Sequence, residues 1–240
     1  MALKIMDESR LANIDNSIKA LEYAIKHGAQ ISSNSYGGQG NVLCQHYLET
    51  LKDVLSNAPN HLFVAAAGNV GGNNDDIGSC PCNTNVPNAI CVAATTKEKN
   101  MWKYSNYGPE DVHVFAPGEE IFSLWKIHGQ AEHEYAWANG TSMATPFVSG
   151  LAALILSVKN EISGANVKEL IMNNVQELSD FQKGFVNSGG LIDVAKTLDS
   201  TLRGEGNFRG SYSDSMQNFS HSSPYKHIPT YYLVFYVISF

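Results

Sequence analysis

Residues 139–157 read NGTSMATPFVSGLAALILS, in which small residues and a proline lead into an almost uninterrupted apolar run. The apolar run predicts a buried helix that begins beside Ser142. Small neighbours let another backbone approach Ser142, and the start of a helix directs free N–H groups and the positive end of its dipole toward developing negative charge. Ser142 is therefore a candidate nucleophile. The alternative interpretation is a Thr/Ser N-cap before a core helix.

The rest of the chain alternates between short apolar strands and helices. We predict strands at residues 2–6, 29–35, 62–67, 89–94 and 112–116. We predict further helices at residues 14–25, 44–57, 165–176 and 193–198. This alternation favours an α/β fold with a mostly parallel sheet covered by helices on both faces, in which the loops at the carboxyl ends of the strands form the site.

Length and composition define the domain and exclude some partners. With 240 residues, of which 43% are apolar and 16% charged, the chain can build one sizeable core. We assign residues 1–202 to that domain, and residues 203–240 to a polar and then apolar tail that is expected to be poorly ordered. The net charge of −7 and the lack of Lys or Arg clusters argue against nucleic acid as a partner.

The two ends of the chain carry no targeting pattern. The N-terminal residues lack the apolar run of a signal peptide, so no export signal is predicted in this chain. The apolar stretch at residues 230–240 is too short to cross a bilayer, so no membrane span is predicted there.

Four cysteines fall within the first hundred residues: Cys44, Cys80, Cys82 and Cys91. A disulfide among them would imply an oxidising compartment, but the sequence does not choose among the three connectivities. Four free buried thiols are the alternative. A zinc site is disfavoured because Cys80 and Cys82 form C-x-C and no histidine lies between residues 69 and 91.

Five separated motifs together resemble those of the subtilisin-like serine proteases (subtilases, peptidase S8 type). In chain order they are Ser35-Tyr36-Gly37, Ala66-Ala67-Gly68-Asn69, YSNYG at residues 104–108, VFAPG at residues 114–118 and NGTSMATP at residues 139–146. The resemblance extends from about Ala2 to Leu198 and implies the three-layer fold of that family. One small departure is Phe147, where many members carry histidine.

The resemblance assigns a role to each motif. It implies that Ser142 is the nucleophile and that Asn69 donates its amide to the oxyanion. Ser35, Tyr36 and Gly37 would pair with an extended peptide substrate, and Ala66, Ala67 and Gly68 would form the wall of the pocket for the residue before the cut. It further implies polypeptide substrates and a parent protein that enters the secretory pathway.

The catalytic histidine of that family and the aspartate that orients it are the missing elements. Its D-[ST]-G and H-G-[ST] motifs should precede Ser35, and neither occurs in the chain. The sequences around Asp76 and His27 are the most similar to these motifs without matching them. No motif is matched by His46, His61, His113, His128 or His133. The chain therefore resembles the C-terminal two-thirds of a catalytic domain, without a propeptide or the N-terminal segment. Absence of the strand that carries the catalytic Asp would leave two central strand edges unpaired.

Two functional interpretations follow from this absence. The first is an endopeptidase of which the present sequence is one part. The second is a catalytically inactive short form that binds a peptide or a partner protein. Calcium is the ion that the resemblance suggests, but Asp75 and Asp76 are more simply explained as solvated loop carboxylates, so no metal ligand is assigned.

Overall fold

The computed structural model describes residues 1–6, 14–126, 133–204 and 233–235. Its strands are β1 (Ile31–Asn34), β2 (Gly38–Gln39), β3 (Leu62–Ala66), β4 (Ser79–Cys80), β5 (Ala89–Thr95), β6 (Val114–Pro117), β7 (Ile121–Lys126), β8 (His133–Ala138), β9 (Gln176–Glu177), β10 (Gly190–Leu191) and β11 (Leu233–Phe235). Its helices are α1 (Ile14–Lys26), α2 (Val42–Ser56), α3 (Asn74–Ile77), α4 (Thr141–Val158), α5 (Gly164–Asn173), α6 (Asp180–Lys183) and α7 (Val194–Arg203).

A seven-stranded sheet organises the fold. Its strand order is β11-β1-β3-β5-β6-β10-β9, and every neighbouring pair is parallel except β10 with β9. The side chains of β3 and β5 are buried along their whole length, as is usual where helices cover both faces of a parallel sheet. The predicted α/β class with a mostly parallel sheet is therefore confirmed.

Two apolar clusters fill the space between the sheet and its helices. On one face, Val64 and Val92 of the sheet belong to a cluster with Leu151 and Ile155 of α4. On the other face, Phe63 packs with residues of α1 and α2. Side chains of a strand alternate between faces, so neighbouring residues of β3 serve both clusters.

Helix α4 is the central helix predicted from the opening stretch. It packs against β1, β3, β5 and β6, and nine of its residues are buried. By length and composition alone it could cross a bilayer, but half of it is buried inside the protein. Its apolar character is explained by its position in the core of the fold.

The predicted helices are confirmed, with shifted ends. Helix α2 begins two residues earlier than predicted because Asn41 caps it, accepting the amide of Cys44 at 2.9 Å. Helix α7 extends to Arg203 and ends at Gly204, whose φ of +71° suits glycine. The apolar content of residues 193–198 alone did not indicate that the helix continues to Arg203.

The predicted strand at residues 2–6 is wrong. Ala2 and Met6 each occupy a single bridge position, and residues 3–5 between them are not part of a strand. Instead Ile5, which is 4% exposed, packs with Ala24 and Tyr36. Packing of side chains, together with these two single bridges, therefore holds this segment.

The outer edge of β1 is paired, contrary to the expectation from the resemblance. Strand β11 lies parallel to β1 with Ile31 opposite Leu233 and Ser33 opposite Phe235. Part of the predicted tail therefore belongs to the sheet. The rest of residues 205–240 lies outside the described residues, and the division into residues 1–202 and 203–240 stays a prediction.

Both pairs of cysteines form disulfides, so the interpretation as free thiols is wrong. Cys44 of α2 is joined to Cys80 of β4, and Cys82 is joined to Cys91 of β5. The first disulfide ties β4, and through it the paired strand β2, to the start of α2. Both disulfides suit an oxidising compartment.

Two buried histidines should make the folded chain sensitive to acid. Burial lowers the pKa of His61 from 6.5 to about 4, and burial together with the charge of Lys168 lowers that of His113 to about 3. Below pH 6.5 the unfolded chain binds protons that the folded chain does not, so stability falls as the pH drops through this window. We expect the free energy of unfolding to fall by about 3 kcal/mol between pH 7 and pH 4 from His61 alone, measured by urea denaturation.

The variant His61→Gln should show a weaker dependence on pH over the same range, because it lacks one of the two groups. His46→Gln, at an exposed position on α2, serves as the control for the substitution itself. A free energy of unfolding that stays constant from pH 7 to pH 4 would contradict the prediction.

Candidate active site

Ser142 lies in the first turn of α4, opposite the end of β1. Its Oγ donates a hydrogen bond to the carbonyl oxygen of Ser35 at 3.2 Å, and Ser35 Oγ donates to the carbonyl oxygen of Ser142 at 2.8 Å. This reciprocal pair joins the candidate nucleophile to the predicted peptide-binding segment, which consists of Ser35, Tyr36 and Gly37. Two motifs more than a hundred residues apart thus meet at one place.

The turn before Ser142 depends on two glycines. Gly140 has a φ of +149°, and its N–H donates to the carbonyl oxygen of Gly118 at 2.8 Å. A Cβ on Gly118 would lie 2.6 Å from Cβ of Ala94 and 2.7 Å from the carbonyl oxygen of Gly140. The glycine of the VFAPG motif therefore lets the nucleophile turn approach the sheet closely.

Asn69 has a fixed orientation beside this turn. Its Oδ1 accepts from the backbone N–H of Thr141 at 2.9 Å and from Thr141 Oγ1 at 3.0 Å. Thr141 Oγ1 in turn accepts from the N–H of Gly68 at 3.1 Å. Because two donors fix the oxygen, the amide NH₂ of Asn69 is left available, and none of the described residues accepts a hydrogen bond from it.

The YSNYG motif supports the loop that carries Asn69. Asn106 Oδ1 accepts from the N–H of Val70 at 2.9 Å, and its backbone N–H donates to the carbonyl oxygen of Gly68 at 2.9 Å. Asn106 Nδ2 donates to Asn74 Oδ1, also at 2.9 Å. The motif was recognised from the sequence, but its role in supporting the Asn69 loop was not. Asn74 was not predicted at all, because its position in a polar loop was the only feature that marked it.

A cleft of about 440 Å³ unites these groups. Of the predicted site residues, it is lined by Ser35, Tyr36, Gly37, Ala66, Gly68, Asn69 and Ser142. Ala67 is the exception, because it is fully buried and packs with Cys91 and Phe115 behind the cleft. The lining residues that were not predicted to belong to the site are Met6, Gly38, Gln39, Val70, Ser79, Asn106 and Thr141, of which the last two lie in the quoted motifs.

The electrostatic character of the cleft comes from the start of α4. The first N–H groups of a helix have no carbonyl partner within it, and the N–H of Ser142 belongs to that first turn. Together with the available amide of Asn69, it can stabilise an oxygen that gains negative charge beside Ser142 Oγ. The arrangement therefore suits acyl transfer through a tetrahedral intermediate.

No described imidazole is hydrogen-bonded to Ser142. His61 is buried, with contacts to the carbonyl oxygen of Ala29 at 2.7 Å and to Ser32 Oγ at 2.9 Å. His113 is also buried and lies 2.7 Å from Lys168 Nζ. Both histidines therefore make their contacts inside the fold and not with Ser142.

The remaining histidines add no base within the described residues. The exposed His27 contacts the carbonyl oxygen of Tyr23 at 2.7 Å, and His46 is exposed on α2. His128, His221 and His227 lie outside the described residues, as does the side chain of His133.

The acidic loop residues accept hydrogen bonds from their neighbours in the protein. Asp75 accepts from the N–H of Glu110 at 3.1 Å and from that of Asp111 at 3.0 Å, while Asp76 accepts from Asn73 at 2.9 Å. Within residues 1–6, 14–126 and 133–204, no three His, Cys, Asp or Glu side chains are grouped so as to hold a metal ion.

Comparisons with known proteins agree with this geometry. A sequence model described as the subtilase family, Peptidase_S8, matches residues 1–191. The chain is 33% identical over 199 residues to thermitase of Thermoactinomyces vulgaris, and the match covers 78% of this chain and 63% of thermitase. It is 38% identical over 179 residues to the extracellular basic protease of Dichelobacter nodosus, and that match covers 72% of this chain and 28% of the relative. The chain therefore spans less than two-thirds of these relatives.

A solved structure supports the fold. The prenylagaramide maturation protease PagA superposes with a TM-score of 0.67 and 24% identity, covering 83% of this chain and 71% of the other. At this identity the likeness bears on the fold alone. It agrees with a mostly parallel sheet between layers of helices.

Proposed function

This chain belongs to the subtilase family of serine endopeptidases, and on that premise we propose that Ser142 is its nucleophile and Asn69 its oxyanion donor. The observation that carries the proposal is the fixed amide of Asn69 beside the first turn of α4. Thr141 holds Oδ1 of Asn69 with two hydrogen bonds, so the NH₂ group is free to donate beside Ser142.

The proposed reaction is hydrolysis of a peptide bond. Ser142 Oγ attacks the scissile carbonyl carbon, and the carbonyl oxygen becomes an oxyanion that accepts from Asn69 Nδ2 and from the N–H of Ser142. Ser35, Tyr36 and Gly37 pair with the extended substrate, and Ala66 and Gly68 border the pocket for the residue before the cut. Ala67 supports that pocket from behind.

A hydroxyl needs a base to become a good nucleophile at neutral pH. In the proposal, the catalytic histidine and its orienting aspartate are supplied by a segment outside this chain, one that resembles the N-terminal third of a subtilase catalytic domain. A propeptide that assists folding belongs to the same hypothesis. The whole protein is proposed to be secreted, in agreement with the two disulfides.

The transcript upstream of Met1 tests this proposal. An in-frame coding sequence with D-[ST]-G and H-G-[ST] motifs should be expressed together with residues 1–240, and hydrolysis of a fluorogenic peptide measured. We expect activity that Asn69→Ala lowers about 10²- to 10³-fold in turnover, as loss of one such donor does in a subtilisin. Asn57→Ala, which changes an exposed asparagine at the end of α2, is the matched control.

The second candidate function is a peptide-binding module without catalysis. Its specific support is the hydrogen bond from Ser142 Oγ to the carbonyl oxygen of Ser35, which leaves the hydroxyl without a described base. A stop codon just upstream of Met1 in the mature transcript would favour this function over the endopeptidase. In that case the same cleft would bind peptides and release them uncut.

A further inference from the structure

A chain of buried hydroxyl groups runs behind the cleft. Tyr36 OH lies 3.1 Å from Tyr47 OH, and Tyr47 OH lies 3.0 Å from Ser17 Oγ. Ser17 Oγ donates to the carbonyl oxygen of Ile14 at 2.7 Å. Tyr36, Tyr47 and Ser17 are 8%, 4% and 2% exposed, respectively, so water cannot readily replace these contacts. The chain joins the peptide-binding segment to α2 and to the first turn of α1.

The hydroxyl groups of this chain share their hydrogens. Ser17 Oγ has the donor geometry in both of its contacts, to the carbonyl oxygen of Ile14 and to Tyr47 OH, and its one hydrogen serves one of them at a time. Between Tyr36 and Tyr47 either hydroxyl can be the donor. Burial raises the pKa of Tyr47, which keeps its hydroxyl protonated and able to donate.

The ring of Tyr36 needs no hydroxyl for burial alone. It packs in an apolar cluster with Ile5, Ala24 and Ala29, where phenylalanine would serve equally well for apolar burial. The hydroxyl of Tyr36 fixes the position of its side chain, because a buried polar group forms its hydrogen bonds in only one arrangement of its neighbours. Tyr36 is also the middle residue of the peptide-binding segment and lines the cleft.

We propose that Tyr47 and Ser17 are positioning residues that hold the peptide-binding segment, through Tyr36, in the geometry that pairs with an extended polypeptide. This inference rests on the proposed function, because it assigns the segment a peptide ligand. Ser35, the neighbour of Tyr36, is fixed from the other side by its two hydrogen bonds with Ser142. The segment is thus anchored to α1, α2 and α4 together.

The test measures binding of a fluorescein-labelled pentapeptide, Ala-Ala-Ala-Ala-Phe, to the 240-residue chain by fluorescence anisotropy. Tyr47→Phe removes the hydrogen bond between Tyr47 and Tyr36, and we expect it to weaken binding about 5- to 10-fold. Tyr23→Phe is the matched control, because Tyr23 lies on α1 with half of its surface exposed and takes no part in the hydroxyl chain. Its affinity should equal that of the unaltered chain.

A double variant separates positioning from stability. Tyr36→Phe combined with Tyr47→Phe removes both hydroxyl groups of the pair, so neither is left buried without the other, and part of the stability that the single variant loses should return. If the hydroxyl chain positions the segment, binding stays about 5- to 10-fold weaker in the double variant although stability recovers. The double variant also provides the measurement if Tyr47→Phe alone fails to fold.

Each outcome has one meaning. Equal affinity for the unaltered chain and both Phe variants overturns the positioning role and leaves the proposed function standing. Affinity that returns together with stability in the double variant also overturns it, because the role would then be structural. If the unaltered chain binds no pentapeptide, the proposed peptide-binding function fails, and the positioning role fails with it.

Discussion

The 240-residue chain is expected to hydrolyse a fluorogenic peptide no faster than its Ser142→Ala variant. Ser142 Oγ donates to a backbone carbonyl oxygen, and no described imidazole is hydrogen-bonded to it. Removal of the catalytic histidine from a subtilisin lowers the turnover rate about 10⁶-fold, which would leave a rate close to background. The measurement compares the two purified proteins under the same conditions.

Covalent labelling gives a second measurement of the same prediction. A fluorophosphonate probe modifies serine only where a base activates the hydroxyl, so the unaltered chain and Ser142→Ala should label equally weakly. Strong labelling that disappears in Ser142→Ala would contradict the prediction. It would mean that a histidine of this chain outside the described residues reaches Ser142.

A chain that ends at Gly204 is expected to lose about 3 to 6 kcal/mol of unfolding free energy. It lacks β11, whose ladder pairs three residues of β1. The four residues of β1 are all buried, and each lost backbone hydrogen bond is worth about 1 kcal/mol, with more where the freed group stays dry. This loss is a large share of the roughly 5 to 15 kcal/mol that stabilise a typical domain, and denaturant titration would measure it.

The control for this truncation is a chain that ends at Phe235. It keeps β11 and removes only the residues after it, so its stability should match that of the full chain. An exposed strand edge also invites pairing between molecules, so the chain that ends at Gly204 should elute partly as oligomers in size-exclusion chromatography. Equal stability of both truncated chains would show that β11 contributes little.

Periodic and local signals explain what the sequence predicted correctly. The apolar run after Ser142 gave α4, and the short apolar segments gave β3 and β5, because burial on both faces requires uniformly apolar strands. The motif at residues 139–146 and Asn69 could be paired only through the family resemblance. Nothing in spacing alone places residues 69 and 141 within hydrogen-bond distance.

Features that depend on distant partners could not be predicted. Residues 2–6 have the composition of a strand, but a strand needs a neighbour that pairs along its length, and this segment has only single bridges at Ala2 and Met6 beside the packing of Ile5. The pairing of Cys44 with Cys80 depends on how α2 and β4 meet in space. The hydroxyl chain behind Tyr36 joins three elements whose individual residues carry no unusual sequence signal.

The position of β11 bears on how the protein is made. Ile31 and its partner Leu233 are 202 positions apart (233 minus 31). Ribosomes add roughly 5 to 20 residues per second, so β1 emerges about 10 to 40 seconds before the strand that covers its edge. During that time a nascent chain exposes an open ladder to the crowded compartment around it. The sheet can close at this edge only after residues 233–235 have been synthesised.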